Sequence, residues 1–291
     1  MSGVSAPGLR FQRAPPPASR PLRILHHGAI LRTVSSTHKK TLDRAMSRAG
    51  ACSRSEARTA ILAGRVLVNG RPVRDPDAWI DLVRDKVLLD GEPLRAVPKE
   101  VWLLHKPRGY VTTADDERDR ATVYALLPKG LPWLAPVGRL DLDTSGLLLF
   151  TNDSDLANAI TAPTTKLQKT YVVVCQGRIE DSAVRQLAAG VTLHDGPTRP
   201  AKVRRLAADA TTTTLELVIG EGRNRQVRRM IEAIGSHVIT LHRTQIGPLQ
   251  LGDEPEGHAR RLTTAEVDAL RAAVRTTPGR HRPRTNRGRS R

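Results

Sequence analysis

The chain has 291 residues, enough for a well-buried core and for about two domains, since domains usually contain roughly 100–200 residues. Its formal net charge of +18 favours a polyanionic partner such as a nucleic acid. The sequence has no run of about 18 apolar residues, so no membrane-spanning helix is predicted, and Cys52 and Cys175 lie far apart, which argues against a cysteine zinc site and a disulfide framework.

The excess positive charge is concentrated at the two ends of the chain. Residues 1–40 contain seven Lys or Arg, three consecutive prolines and no acidic residue, which predicts a disordered basic extension. The same composition is typical of an organellar transit peptide; without that role, the protein is expected in the cytoplasm, where free thiols stay reduced. Residues 276–291 contain six Arg and no acidic residue, which predicts a second disordered tail that holds phosphates without sequence preference.

Residues 41–97 are predicted to form a small helix-hairpin domain. The segment LDRAMSRAG indicates a first helix. Ser53, followed three residues later by Glu56, is a capping box that predicts the start of a second helix, and Gly64 ends its pattern. The apolar alternation that follows leads into Asn69-Gly70, the strongest short signal for a β-hairpin turn.

Residues 98–275 are predicted to form a larger α+β domain. Its strands and helices do not alternate regularly as in βαβ units, which favours a mixed, largely antiparallel sheet with flanking helices. Strands are predicted at VWLLHKP, RLDLDTSGLLLF, TYVVVCQG, TTTTLELVIG and HVITLHRTQIG. Helices are predicted at SDLANAIT, SAVRQLAAG, RQVRRMIEAIG and TAEVDALRAAV.

The segment DLDTSG has three explanations that need no knowledge of a family. A calcium loop needs a bidentate Glu at its twelfth position, where this chain has Asn152. Residues 147–150 of the same segment are Leu-Leu-Leu-Phe, which favour a strand over a ligand loop. An aspartyl phosphotransferase would carry its apolar strand before the two aspartates, and here the strand follows them. The third explanation is a tight turn whose side chains satisfy local backbone donors, and it is the interpretation favoured for Asp143, Thr144 and Ser145.

The helix predicted at RQVRRMIEAIG has one apolar stripe and several arginines. Val227, Met230, Ile231 and Ile234 recur at helical spacing and indicate the buried side. The periodicity therefore separates the arginines into different faces, and phosphate binding is the generic role for such a cluster.

Four segments together resemble the RsuA-type family of pseudouridine synthases. These are HKPRGYVTT (105–113), GRLDLDTSGLLLF (138–150), KTY (169–171) and EGRNRQVRRM (221–230), in the family's order. His105 stands where the family more often has Asn. Residues 41–97, with LDRAMSRAG and SRSEARTAILAGRVLVNG, resemble the S4-like RNA-binding domain.

The resemblance implies an enzyme that isomerises uridine in RNA to pseudouridine, without a cofactor or a metal. Asp141 inherits the role of nucleophile, because it is the fourth residue of the GRLD signature. Tyr171 would stack on the flipped base or assist proton transfer. Arg228 would form an ion pair with Asp141 and keep that carboxylate charged.

The same resemblance implies ribosomal RNA or a pre-ribosomal particle as the partner of a monomeric protein. The large subunit is favoured, because HDGPTRPAKV (194–203) loosely resembles the corresponding segment of large-subunit members. A noncatalytic RNA-binding or ribosome-assembly factor is the alternative, since it would share the S4-like domain and the basic ends. The residues expected to contact RNA are Arg44, Arg54, Arg58, Arg65, Arg139, Arg223, Arg225 and Arg229.

Overall fold

A computed structural model of the protein describes residues 39–95, 97–114 and 116–275. The predictions for residues 1–38 and 276–291 lie outside these ranges. Lys39 and Lys40, which the sequence analysis assigned to a disordered extension, instead belong to a strand, β1 (Lys39–Thr41). They are ordered because they pair in antiparallel register with Ile80 and Asp81 of a later strand.

The small domain packs two helices against short strands, as the sequence predicts. The capping box at Ser53 and Glu56 is present, and Asn69 and Gly70 both adopt positive φ angles of 53° and 80°, the conformation of a tight hairpin turn. The core of this domain includes Leu42, Met46 and other side chains from both helices and the strands. Its elements are α1 (Leu42–Arg48), α2 (Arg54–Leu62), β2 (Val66–Val68), β3 (Arg71–Pro72), β4 (Trp79–Asp81), β5 (Val87–Leu89) and β6 (Glu92–Pro93).

The large domain contains the four predicted helices and a large sheet. Its helices are α3 (Ser154–Thr161), α4 (Asp181–Ala189), α5 (Gln226–Ala233) and α6 (Thr264–Arg275), with a short 3-10 turn at Val123–Leu126. Its strands are β7 (Val101–Lys106), β8 (Ala135–Pro136), β9 (Ser145–Thr151), β10 (Lys169–Gln176), β11 (Thr192–Leu193), β12 (Gly196–Pro197), β13 (Lys202–Ala208), β14 (Thr212–Ile219), β15 (Val238–Ile246), β16 (Leu249–Gln250) and β17 (Ala259–Arg261).

Within the described residues, nine of these strands form one sheet whose main order is β13-β14-β10-β15-β9-β7-β17, with β16 beside β15 and β8 beside β9. Every pairing in it is antiparallel except that of β15 with β9. Side chains of α3 and α6 pack with β7 and β9 in one apolar cluster, and those of α4 and α5 pack with β10 and β14 in another. The α+β class with a mixed, largely antiparallel sheet and flanking helices is therefore confirmed.

Several short strands were not predicted, and two longer elements also differ from the sequence-based prediction. The strand predicted for the whole of RLDLDTSGLLLF begins only at Ser145, and residues 138–144 form the loop before it. Strand β13 was not predicted, because it lies at an edge of the sheet and most of its residues are exposed, so that it lacks an apolar pattern. Across the described ranges, no helix has the length and apolar character needed to cross a membrane.

Candidate active site

Lys106 fixes the loop that carries Asp141. It ends β7, and its side chain is fully buried. The ammonium group donates to the carbonyl oxygens of Pro107 at 3.0 Å, Asp141 at 3.1 Å and Thr144 at 2.8 Å. Burial lowers the pKa of Lys106 to about 8, against the opposing effect of Asp141 and Asp143. Two of these hydrogen bonds hold the backbone of the loop, one at Asp141 itself and one three residues later at Thr144.

The neighbours of Asp141 are held from the other side by the segment that follows β7. Thr112 Oγ1 donates to the carbonyl oxygen of Leu140 at 2.8 Å, and the backbone N–H of Gly109 donates to that of Leu142 at 2.8 Å. Asp141 therefore lies between two anchored residues, and its backbone position depends on packing across two segments of the chain rather than on the local turn alone.

A row of four residues crosses the middle of the sheet beneath this loop. Tyr171 of β10 is opposite Arg243 of β15, Arg243 is opposite Gly146 of β9, and Gly146 is opposite Lys106 of β7. Residues directly opposite each other in a sheet project from the same face, so Tyr171, Arg243 and Lys106 share one face. Arg243 is 5% exposed, and its Nε donates to the carbonyl oxygen of Leu147 at 2.8 Å.

Gly146 is required at its place in this row. Its φ is +108°, and a Cβ atom there would lie 2.2 Å from the backbone oxygen of Arg243. Any side chain would therefore push β9 away from β15. The glycine of the GRLDLDTSG segment thus serves the close parallel pairing of these two strands.

Tyr171 is half-buried in β10 and packs against the apolar cluster formed with α4 and α5. Its place in the row puts it on the same face of the sheet as Lys106, which holds the Asp141 loop. The structure thus brings the KTY and GRLD segments to one face, which two distant segments of sequence could not establish by themselves.

An open cleft of about 490 Å³ lies at Asp141. Arg118, Arg120, Arg139 and Arg225 line it together with the carboxylates of Asp116, Glu117 and Asp141, so that its lining has one more cation than carboxylate. Such a charge pattern suits a polyanionic substrate. The described residues contain no group of three or more His, Cys, Asp or Glu placed to hold a metal ion.

The predicted ion pair between Arg228 and Asp141 is not among the ion pairs of the described residues, and the role of Arg228 stays a prediction. Arg228 Nη2 lies 3.1 Å from Asp143 Oδ2 and also donates to the Asp143 carbonyl oxygen at 3.0 Å. Arg225 is the arginine near the first aspartate, with its Nη1 3.7 Å from Asp141 Oδ2 and 3.6 Å from Asp143 Oδ1. Asp143, predicted to be only a turn residue, therefore lies within ion-pair distance of two guanidinium groups, those of Arg225 and Arg228.

The course of α5 explains which arginine lies near which aspartate. The helix begins at Gln226, and Arg225 precedes it in a left-handed conformation with φ 46°, which leaves its side chain 46% exposed at the cleft. Arg228 lies one turn further, is 6% exposed and reaches the C-terminal part of the loop, where Thr144 Oγ1 lies 3.4 Å from its Nη2. The sequence periodicity shows that these arginines lie on different faces of the helix, but it does not show which aspartate each one contacts.

The arginines predicted to contact RNA in the small domain have different surroundings. Arg54 Nη2 lies 2.7 Å and Arg58 Nη1 lies 3.4 Å from Oδ2 of Asp43, whose side chain is fully buried. Arg65 Nε donates to Oδ1 of Asp90, the residue that follows β5, at 2.8 Å. Arg44 is exposed on α1. All four guanidinium groups belong to the small domain, and three of them are oriented by carboxylates.

The remaining predicted arginines divide between the cleft and a nearby hairpin. Arg139 is exposed and lines the cleft at Asp141. Arg223 and Arg229 instead contact the turn between β11 and β12, where their Nη1 atoms lie 3.5 Å and 3.0 Å from Oδ1 of Asp195. The structure therefore brings Arg139 and Arg225 to Asp141, and ties Arg223 and Arg229 to a neighbouring element.

Sequence reasoning missed Lys106 and Arg243 as members of the site. Lys106 is the second residue of HKPRG, so its presence in a recognisable motif was a usable signal. Arg243 has no such signal, because a single arginine in HVITLHRTQIG gives no indication of burial. Its position becomes informative only when the register places it between Tyr171 and Gly146.

Comparisons with known proteins agree on the kind of molecule. The family described as RNA pseudouridylate synthase matches residues 100–233, and the S4 domain matches residues 40–78. Ribosomal large subunit pseudouridine synthase B of Bacillus subtilis (strain 168) is 40% identical over 234 residues, which cover 79% of this chain and 95% of the relative. The Escherichia coli (strain K12) protein of the same name is 35% identical over 245 residues, with coverage of 81% and 84%.

A solved structure described as a pseudouridylate synthase extends the likeness to three dimensions. It superposes with a TM-score of 0.58 at 33% identity and covers 79% of this chain and 99% of its own. The two family matches cover residues 40–78 of the small domain and the cleft with Asp141. The chain therefore belongs to the RsuA-type family of RNA pseudouridine synthases, with an S4-like domain ahead of the catalytic domain.

Proposed function

We propose that the protein isomerises a specific uridine of large-subunit ribosomal RNA to pseudouridine. The observation that carries the proposal is the position of Asp141, whose backbone is anchored by Lys106 and whose side chain lies at a cleft lined by arginines. The relatives from Bacillus subtilis and Escherichia coli, which are named as large-subunit enzymes, support ribosomal RNA as the substrate.

Asp141 is the proposed nucleophile. Its carboxylate either attacks the anomeric carbon of the flipped nucleotide or removes a sugar proton on the way to a glycal, and both routes require the charged form. The cation that lies near this carboxylate is Arg225, whose Nη1 is 3.7 Å from Asp141 Oδ2. This assigns to Arg225 the charge-pairing role that the family resemblance gave to Arg228, while Arg228 orients Asp143 and the end of the loop.

Tyr171 is the proposed stacking partner of the target base. An enzyme that acts on a base within RNA takes the base out of its stack, and stacking on an aromatic ring recovers about 1–3 kcal/mol. Tyr171 is half-buried on the face of the sheet that carries the Asp141 loop, so its ring is positioned rather than free. Its phenol is also available for proton transfer at carbon 5.

The S4-like domain, proposed to span residues 41–97, supplies RNA affinity, and residues 98–275 supply the chemistry. Arg44, Arg54, Arg58 and Arg65 give the small domain its cationic side chains. Arg139 and Arg225 would engage the phosphates on either side of the target nucleotide, because both line the cleft.

The test is release of tritium from RNA labelled at carbon 5 of uridine, since isomerisation removes that hydrogen. We expect release by the unaltered protein on a large-subunit RNA fragment or a pre-ribosomal particle, and background release by Asp141→Asn with unchanged RNA affinity. Asp143→Asn is the matched control, because it changes the other carboxylate near Arg225 and should retain part of the rate.

Two outcomes would contradict the proposal. Loss of release in Asp143→Asn alone would transfer the nucleophile to the second aspartate. Binding of ribosomal RNA and particles without any release would show a noncatalytic RNA-binding or assembly factor instead.

A further inference from the structure

Two cations on the catalytic face of the sheet have hydrogen-bond donors that the protein does not use. Arg243 is 5% exposed, and while its Nε is bonded to the Leu147 carbonyl oxygen, its Nη2 is buried without a hydrogen-bond partner among the described residues. Buried donors almost always have a hydrogen-bond partner, because a buried donor without an acceptor costs free energy of folding. An unpaired guanidinium nitrogen in the middle of a proposed active site therefore indicates a missing acceptor.

Lys169 is the second of these cations. It begins β10 two residues before Tyr171, and the regular pairing of β10 with β14 puts both side chains on one face. The pairing of β10 with β15 shifts by one residue between Thr170 and Tyr171, so that Tyr171 is opposite Arg243 and Lys169 is opposite Ile246. Lys169 is half-buried, and within the described chain no carboxylate pairs with it. Burial, together with the positive charge of Arg243, lowers the pKa of Lys169 to about 8. Two neighbouring cations that repel each other need an anion between or beside them.

The other charged groups of the site do not provide that anion. Lys106 has three donors, and all three are directed to backbone carbonyls, two in the Asp141 loop and one at Pro107. The carboxylates of Asp141 and Asp143 lie within ion-pair distance of Arg225, and Asp143 also pairs with Arg228. Arg228 Nε is also buried without a hydrogen-bond partner among the described residues, but its guanidinium group already pairs with Asp143. Arg243 and Lys169 thus remain as the cations near Tyr171 that have no carboxylate partner in the described part of the chain.

We propose that Arg243 and Lys169 form a subsite for the uracil ring that receives the negative charge which the ring gains when it leaves the sugar. This inference rests on the proposed function and adds residues for the leaving group to those for the nucleophile. The acceptors are the two exocyclic oxygens of the base, which the ring presents when it lies against Tyr171.

The charge arises from the bond that breaks. When the bond between C1′ and N1 is cleaved, its electron pair remains on the uracil and is shared among N1, O2 and O4. On the sugar, C1′ forms a bond with an Asp141 carboxylate oxygen, or C2′ loses a proton to that carboxylate. After the ring turns, C5 supplies the electron pair for the new bond to C1′. On the first route the bond between C1′ and the Asp141 oxygen breaks as this bond forms, and its electron pair returns to the carboxylate; on the glycal route C2′ takes back its proton from Asp141. The proton on C5 is then removed while N1 takes one up. Arg243 and Lys169 form no covalent bond at any stage; they stabilise the anion between the two steps.

The experiment compares uridine with 5-fluorouridine at the target position in single-turnover reactions of the full chain. Fluorine withdraws electrons and makes uracil a better leaving group, so that it depends less on outside stabilisation. Consumption of the target nucleoside is measured by nuclease digestion and chromatography, since fluorine on C5 prevents the final proton loss. Lys169→Met should slow the reaction of uridine by about 100-fold, because that is the typical effect of removing one donor to a developing negative charge. The same variant should slow the reaction of 5-fluorouridine by much less.

Three further variants give the comparison its controls. Lys202→Met removes an exposed lysine in line with Thr170, on the opposite face of the same sheet, and should react like the unaltered protein. Lys169→Arg keeps the charge and should restore most of the rate. Lys169→Gln keeps a neutral donor of similar length, and takes the place of Lys169→Met if the latter fails to fold by thermal melting.

Several outcomes would overturn the inference. Equal losses for the two substrates with unchanged RNA affinity would show a purely structural role for Lys169. A loss of RNA affinity with unchanged rates at saturation would show that the anion is a backbone phosphate. An active wild-type protein with an unaffected Lys169→Met variant would overturn this inference alone, whereas an inactive wild-type protein would overturn the proposed function along with it.

Discussion

Lys106 directs all three hydrogens of its ammonium group to backbone carbonyls around Asp141. We expect Lys106→Met to lower the rate of isomerisation by about 100-fold at saturating RNA, because a displacement of about 1 Å at a reacting group can cost that much. RNA affinity should stay unchanged, because the amine is fully buried and cannot reach the RNA. Single-turnover kinetics and fluorescence anisotropy measure the two quantities, and a variant with full rate would show that the loop holds itself in place.

The same lysine gives a prediction for stability against pH. Burial depresses the pKa of Lys106 from 10.5 to about 8 in the folded protein. Between these values the unfolded chain holds a proton that the folded protein has released, so the free energy of unfolding rises with pH across this window. Relative to Lys106→Met, in which Lys169 still titrates, the unaltered protein should gain about 3 kcal/mol from pH 8 to 10.5. Urea unfolding at several pH values tests this, and parallel profiles would contradict it.

At the scale of elements, the parallel pairing of β9 with β15 depends on Gly146. Alanine there would combine an unfavourable positive φ with a contact of 2.2 Å to backbone, so Gly146→Ala should destabilise the protein by about 3 kcal/mol or more. Gly196→Ala is the matched control, because its φ of +102° is similar and nothing lies within 4 Å of the added atom. It should cost only about 1 kcal/mol. Equal costs in urea unfolding would show that the strand pairing adjusts without penalty.

The elements that could be predicted are those encoded by neighbouring residues. The capping box at Ser53 and the Asn69-Gly70 turn act within four residues, and the apolar stripe of α5 repeats within one helix. The partner of Arg228 could not be predicted, because it depends on where a loop 85 residues earlier comes to lie. Arg243 could not be predicted as a member of the site for the same reason, since its burial follows from the register of three strands.

At the scale of the whole molecule, charge and chemistry are carried by different parts of the chain. Residues 276–291 hold six arginines and no acidic residue, whereas the cleft is built from residues within 111–225. Electrostatic affinity for RNA depends on the number of cations that replace counterions, and it is independent of sequence. The terminal segment should therefore influence how firmly RNA is held, but not how fast the bound uridine reacts.

Deletion of residues 276–291 tests this separation. The plot of log affinity against log salt should become shallower by up to about 4, the value for six arginines on single-stranded RNA. The single-turnover rate at saturating RNA should not change, because no residue of the cleft is removed. Replacing the six arginines by lysine keeps the charge and should keep the slope. A slower reaction at saturation would mean that the terminal segment takes part in placing the target uridine, since counterion release alone acts on affinity.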